Sequence, residues 1–299
     1  MTTTTTASDD EWKDVPPILY HYCNAEGLRG IIENKCLWMS SVSSMNDYME
    51  HNWLIEAARA KLMPRLRHPV LDSSPPDVFY TRLRQRLCEQ PPATHYVVGF
   101  SSDGDVLSQW RAYASDGAGF AVGFNPRLFG IRPVMPSLRP SPDDPDIGLS
   151  RIFYQDGKLL ETLDFWVTHC HDKACSSFVS DAADRCYDNI LQFALTTKNP
   201  AFKEEQEWRI IWLPSGNPAA NSGDAELSSM KFRVRQGRVI PYYELRCRLT
   251  PHDVMPIREI VLGPKNPHRD GINAIEQLLA ANGHNLANIK VWASKATYR

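Results

Sequence analysis

The chain has 299 residues, 33 of them basic and 35 acidic, for a formal net charge of −2, and 42% are hydrophobic. This composition excludes an intrinsically disordered chain, and the missing Gly-X-Y period and heptads exclude collagen and coiled coils. The near-neutral balance excludes a general nucleic-acid coat, and no apolar run reaches the roughly 20 residues that cross a bilayer.

Thr2 to Thr6 is a low-complexity run, and Met1 to Glu11 has neither the basic nor the apolar region of a secretion signal. Residues 1–15 read as a disordered tail and 16–299 as a single domain. Ile18 to Cys23 is a short β-prone run. Asn24 then caps a helix to about Glu33, with Leu28, Ile31 and Ile32 at helical spacing. Cys36 to Ser41 reads as a strand and Met45 to Met63 as a helix stopped by Pro64. Val78 to Cys88 is a further helix. His95 to Ser101 and Gly119 to Phe124 are strands on either side of a short helix, Leu107 to Ala114. A proline-rich surface loop covers 132–148. Leu159 to Leu195 is helix-like for most of its length. Strands follow at Glu207 to Leu213, Lys231 to Val234, Val239 to Tyr243 and Ile257 to Leu262, with a hairpin turn at Gln236-Gly237. Gly271 to Asn282 is a helix and Ile289 to Trp292 a last strand. Helices and strands mix without a βαβ rhythm. The expected class is α+β, a mixed, mainly antiparallel sheet flanked by helices.

Seven scattered cysteines, Cys23, Cys36, Cys88, Cys170, Cys175, Cys186 and Cys247, form no C-x-x-C pair. They read as free thiols in a reducing, cytoplasmic setting. His171 and Cys175 have zinc-compatible i, i+4 spacing. However, Cys170 and its apolar neighbours already form that helix's buried stripe, no second ligand pair accompanies them, and no metal is expected.

The aromatic strand Leu19-Tyr20-His21-Tyr22-Cys23 alternates His21 against Tyr20 and Tyr22. His21 is then either a core histidine bonded to backbone or a ligand-holding group. Ser40 ends the second strand; Asn46, Asp47 and Glu50 follow at a helix start, as caps or as a polar site. Trp110 and Tyr113, three apart, share a helical face that is either core or an aromatic wall for a ring. In Glu205-Gln206-Glu207-Trp208-Arg209-Ile210-Ile211-Trp212, alternation buries Trp208, Ile210 and Trp212. It puts Glu205, Glu207 and Arg209 together on the opposite face, as a salt-bridge ladder or as a site. One carboxylate raises another's pKa while arginine restrains it, and such a group can bond a sugar hydroxyl and support an oxocarbenium-like transition state. Two basic zones stand out. Arg59 to Gln90 has seven bases against Asp72, Asp77 and Glu89. Lys231 to Arg248 has six against Glu244, with Arg233 and Arg235 on one strand face. They read as solvated faces on the helices, or as phosphate-holding groups.

The chain resembles a bacterial family of unknown activity, domain of unknown function 2971 (DUF2971). The resemblance rests on Leu19-Tyr20-His21-Tyr22, Leu37-Trp38-Met39-Ser40, Met45-Asn46-Asp47 with Glu50, and Ser108-Gln109-Trp110-Arg111-Ala112-Tyr113-Ala114. It continues through Gly119-Phe120-Ala121-Val122-Gly123-Phe124, Glu205 to Arg209, Ile257 to Gly263 and a Ser294 to Tyr298 tail. More distantly, a histidine on the first strand, a second strand ending in serine and a late glutamate resemble ADP-ribosyltransferases. That resemblance implies a split-sheet fold with NAD as substrate. His21 would hold NAD, helped by Tyr22, Ser40, Asn46 and Arg209; Trp110 or Tyr113 would wall the nicotinamide, and Glu207, or Glu205, would be the catalytic carboxylate. The expected function is nicotinamide–ribose cleavage with ADP-ribose transfer to an unidentified protein or nucleic-acid acceptor, or NAD hydrolysis, in a toxin or phage-defence setting. It requires the acidic pair and Arg209 to project into one cleft with the His21 imidazole. One rival is a metal-dependent nuclease or phosphoesterase using Asn46, Asp47, Glu50, Glu205 and Glu207. Another is a non-enzymatic module that senses nucleic acid or protein through the basic zones.

Overall fold

The computed structural model describes residues 9–42, 55–60, 78–89, 95–138, 145–154, 159–173, 178–214, 225–235, 237–247, 254–268 and 272–298. Asn46, Asp47, Glu50, Cys175 and Gln236 lie outside them. The strands are β1 (Leu19–Cys23), β2 (Leu37–Ser41), β3 (Tyr96–Ser101), β4 (Phe120–Phe124), β5 (Ile147–Arg151), β6 (Phe153–Tyr154), β7 (Thr197–Lys198), β8 (Glu207–Trp212), β9 (Ala225–Leu227), β10 (Lys231–Arg235), β11 (Arg238–Cys247), β12 (Ile257–Leu262) and β13 (Lys290–Ala293). The longer helices are α1 (Ala25–Asn34), α2 (Val78–Cys88), α3 (Leu107–Tyr113), α4 (Leu159–Asp172), α5 (Val179–Leu195) and α6 (Asn273–Ala281).

The fold is α+β, with a mixed and mostly antiparallel sheet. Within the stretch read as one domain from residue 16 onward, chain contacts mark out two compact units. One comprises 1–44, 95–151 and 203–299; the other comprises 45–94 and 152–202, two insertions in the first. The first unit holds a sheet of 11 strands in the order β10-β11-β2-β3-β1-β4-β12-β13, with β8 joined to β3 and β5, and β9 to β11. Every pairing in it is antiparallel except β12 with β13.

Local chemistry explains the elements. Asn24 is extended, and its side-chain oxygen accepts from Gly27 N at 2.8 Å, starting α1. Lys35, left-handed at φ 53°, ends that helix. Between these caps Leu28, Ile31 and Ile32 go down into the core, each burial stabilising by about 2 kcal/mol. Arg235 pairs with Arg238 across a two-residue turn in which Gly237 takes φ 75°. The Gly119 and Gly263 backbones pass so closely (Gly263 N to Gly119 O, 3.0 Å) that a Cβ on Gly263 would strike the Gly117 carbonyl.

The pleat separates two environments. One sheet face carries Leu19, Val98, Phe100, Val122, Trp208, Ile210 and Trp212 into the main core beneath α1 and α6. The other carries Tyr22, Ala121 and Val261 against Trp110 and Ala114 of α3 and its end. Trp12 is also buried in the main core, with the Arg127 guanidinium 5.2 Å above its ring and Glu11 bonded to Arg132 at 2.9 Å. Residues 9–15 are thus held by the first unit, whereas 1–8 are outside the described residues. Likewise β5 begins at Ile147 and Asp146 is buried, so the proline-rich loop ends sooner than the expected residue 148.

In the second unit the long helical stretch holds two helices, α4 and α5. Arg82 of α2 makes a double hydrogen bond to Asp184 of α5, and Arg59 donates to the Leu87 carbonyl near the end of α2. Part of the first basic zone is therefore spent on internal helix contacts.

Candidate functional site

The central feature of the first unit is a fork in its sheet. Along one edge β3 pairs with β8 over its whole length, Tyr96 opposite Trp212 through Ser101 opposite Glu207. Along the other edge it is shared. Ser40 and Ser41 of β2 take Val97 and Tyr96, and Tyr20 of β1 takes Ser101. Among the described residues no strand pairs with Val98, Gly99 or Phe100 on that edge. A carbonyl left without a ladder partner there needs a donor. His21 supplies it, with Nδ1 2.8 Å from Gly99 O. A carbonyl only accepts, so the imidazole carries its proton on Nδ1 and leaves Nε2 as an acceptor. Burial lowers the His21 pKa below its ordinary value; the Gly99 bond opposes this and the Arg233 charge adds to it. At neutral pH the ring is uncharged.

Gly99 is also where the acidic strand arrives. Arg209 lies opposite it on β8, and a Cβ at Gly99 would stand 3.2 Å from Glu207 Oε1. Glu207 and Arg209 form a two-pronged ion pair, 2.5 Å from Nε to Oε1 and 2.8 Å from Nη2 to Oε2, with only about a tenth of either side chain exposed. Imidazole and ion pair thus converge on one residue. They do so from different sides: His21 belongs with Leu19 and Cys23 on the main-core face, its ring 5.9 Å from Phe100, whereas Glu207 and Arg209 stand on the opposite face. Glu205 does not share their strand. It ends a 3-10 turn, Pro200–Glu205, and Gln206 at φ 46° breaks the alternation before β8 begins, leaving Glu205 buried.

A second wall was signalled in sequence only by the shared face of Arg233 and Arg235. Register across β11 puts Lys231 in the row of Ser40, and Arg233, opposite Ile240 two residues on, reaches back to Ser40. Tyr242 pairs with both Ser40 and Lys231, and Arg233 Nη2 donates to Ser40 Oγ at 2.9 Å. The guanidinium lies 5.1 Å above the Trp38 ring, which in turn lies 4.7 Å from Tyr242. Trp38 is 39% exposed. Ser40 is opposite Val97, two residues from Gly99, a separation of about 7 Å along the strand. One sheet face thus presents, in order, an arginine stacked on an indole, a serine, the buried Val97, Gly99 with Glu207 Oε1 close over it, and the arginine–glutamate pair. An arginine beside a partly exposed indole suits a ligand with phosphates and a flat ring.

The remaining expected residues fall elsewhere. Tyr22 is buried, its hydroxyl bonded to the Asp103 carbonyl and to Val106 N. Trp110 is fully buried beside it, ring to ring at 4.8 Å, with Nε1 donating to Asp105 Oδ1 at 2.8 Å. These two are packing and tethering groups, and Trp110 offers no ring face as a wall. Asp105 also accepts from Ser294 Oγ and Lys295 N, fastening the C-terminal segment. Tyr113 is exposed. Among the described residues no set of three or more His, Cys, Asp or Glu side chains is placed to hold a metal ion. A separate polar cavity of about 850 Å³ lies near Lys35, Glu226 and Glu244, away from the fork; there Glu244 is already paired with Lys231 at 2.8 Å and Arg246 at 3.1 Å.

No helix among the described residues is long and apolar enough to cross a membrane. No curated protein and no solved structure matches the chain. Residues 109–210, the stretch from Gln109 through Glu207 and Arg209, match the family described as "Protein of unknown function (DUF2971)", and the family resemblance holds for that stretch.

Proposed function

We propose that the fork binds NAD and that the chain breaks the nicotinamide–ribose bond, passing ADP-ribose to an acceptor or to water. One observation supports this above the rest. Glu207 and Arg209 reach Gly99 from one face and His21 from the other, where the sheet splits, and Arg233 is bonded to Ser40, whose partner Val97 is two residues from Gly99. Arg233 supplies charge for a pyrophosphate, with the guanidinium geometry that suits phosphate oxygens. Trp38 offers a ring for stacking. Neutral His21 keeps the Gly99 carbonyl occupied from the opposite side of the sheet. Arg209 holds the Glu207 carboxylate in place, which suits it to accept from a ribose hydroxyl. In the transition state the C1′–N bond lengthens, its electrons leave with nicotinamide, and positive charge grows on the ribose ring. A fixed carboxylate stabilises that charge more than it stabilises the ground state. A nucleophile, protein, nucleic acid or water, then bonds to C1′.

The rival built on a divalent metal takes three of its five ligands, Asn46, Asp47 and Glu50, from outside the described residues. Purified protein incubated with NAD, with and without a chelator, separates the two. The ribosyl reading expects nicotinamide release, followed chromatographically, at a rate the chelator leaves unchanged. Release abolished by the chelator, or none at millimolar NAD, would remove it.

A further inference from the structure

The hairpin of β10 and β11 leaves an edge of the first unit's sheet open. β10 is the last strand in the sheet order, and among the described residues it pairs only with β11. Its outer edge therefore presents backbone N–H and C=O groups to any strand that can pair with them. Alternation gives the hairpin two chemically different faces. Lys231, Arg233 and Arg235 fall on one face, with Arg238 of β11 directly opposite Arg235. Between Lys231 and Tyr243 the chain has these four bases and no acid. Bases in opposed register positions repel one another, and only an anion from elsewhere relieves them. Glu244, the next residue along β11, is already held by Lys231 and Arg246. The other face carries Phe232 and Val234, with Pro241 and Val239 opposite them. Farther along β11 this same face packs Tyr243 and Leu245 on the main core. The core stops short of the hairpin's end, where Phe232 is 63% exposed, Val234 74% and Val239 66%.

A second copy of the chain does not suit this edge. Antiparallel pairing of two β10 strands that sets Phe232 opposite Val234 also sets Lys231 opposite Arg235, base against base. Nucleic acid would meet the charge but neither the strand edge nor the apolar face. An extended peptide with acids on one side and apolar residues on the other meets all three. We propose that β10 is a docking edge for a protein segment that alternates acidic and apolar residues and joins the sheet as a further strand. Its main chain continues the ladder from β10. Its apolar side chains lie beside Phe232 and Val234, and its carboxylates face the row of bases. This inference stands apart from the NAD reading, since it needs neither the fork nor a nucleotide.

The test is calorimetric titration of the full chain, without NAD, with a blocked heptapeptide alternating glutamate and valine. The comparison probes are the same residues with the glutamates in one block, a lysine–valine alternation, and a single-stranded DNA of equal charge. The alternating acidic peptide should bind one to a chain, about tenfold or more tighter than any comparison probe, and less tightly as salt rises. Methylating its amides at one alternate set of positions should abolish binding, and at the other set should not, because only one set points at β10. The double variant Phe232→Ser, Val234→Ser, altered at two exposed positions, should bind about tenfold more weakly. No heat at millimolar peptide would overturn the proposal. So would equal binding of the blocked sequence, tighter binding of the DNA, equal effects of the two methylated sets, or unchanged affinity in the double variant.

Discussion

Replacing Glu207 by Gln is expected to lower nicotinamide release from NAD by about 10²-fold or more, with a smaller change in NAD binding. Removing one preorganised group that meets developing charge costs about that much in other enzymes. The structure adds a second consequence. Glu207 and Arg209 are a largely buried ion pair, so the amide removes the negative charge that the buried guanidinium binds through two hydrogen bonds. Breaking such a pair from one side costs about 3 kcal/mol of stability. The variant should therefore unfold at distinctly lower denaturant while remaining folded in buffer. The double variant Glu207→Gln, Arg209→Gln separates the two effects: stability should partly recover and turnover should not. Recovery of turnover in the double variant would show that Glu207 serves only to satisfy Arg209.

Acid should destabilise the protein well before its carboxylates titrate. His21, His95 and His284 all have pKa values lowered by burial; for His95 the value falls to about 4. Unfolded histidine titrates near 6.5. Below that pH the unfolded chain takes up protons that the native state refuses, so stability falls as pH drops from about 6.5 toward each folded value. Above 6.5 all three are neutral in both states and contribute no slope. For His95 alone the loss between pH 6.5 and 4 is on the order of 3 kcal/mol, because a tenfold change in proton affinity between the two states is worth about 1.4 kcal/mol. Asp116 and Glu244, whose pKa values are lowered, lose their contribution only nearer the usual carboxylate range, a separate and more acidic window. Urea unfolding at pH 7.5, 6 and 5 checks this. Wild type should weaken steadily below 6.5, and His95→Gln should show a shallower slope. Equal stability at all three values would mean that the histidines are not held neutral in the native state.

What could be read from the chain was local. Alternation in Trp208, Ile210 and Trp212 marked β8 and put Glu207 and Arg209 on the same face, because two-residue periodicity is written directly into the residues. The Asn24 cap and the Gly237 turn were legible for the same reason. The fork was not. It depends on β1 and β2 sharing one edge of β3 while β8 takes the other, a choice made by pairings between residues far apart in sequence. Glu205 was misplaced because nothing in Glu205-Gln206-Glu207 announces a positive φ at Gln206. Trp110 reads as core or as a wall, with core the better reading, until Asp105, five residues earlier, is found to take its indole N–H. Arg233 was visible only as part of a basic zone, since its place beside Ser40 is a matter of register across β11.

The account turns on a dinucleotide lying in the fork between Arg233 and the Glu207–Arg209 pair. Calorimetric titration of the full chain with NAD, beside the Arg233→Ala variant, tests this most directly. A single site in the wild-type protein, weakened about tenfold or more when the guanidinium is removed, is the predicted result. No heat at millimolar NAD, or equal affinity in the two proteins, would contradict it.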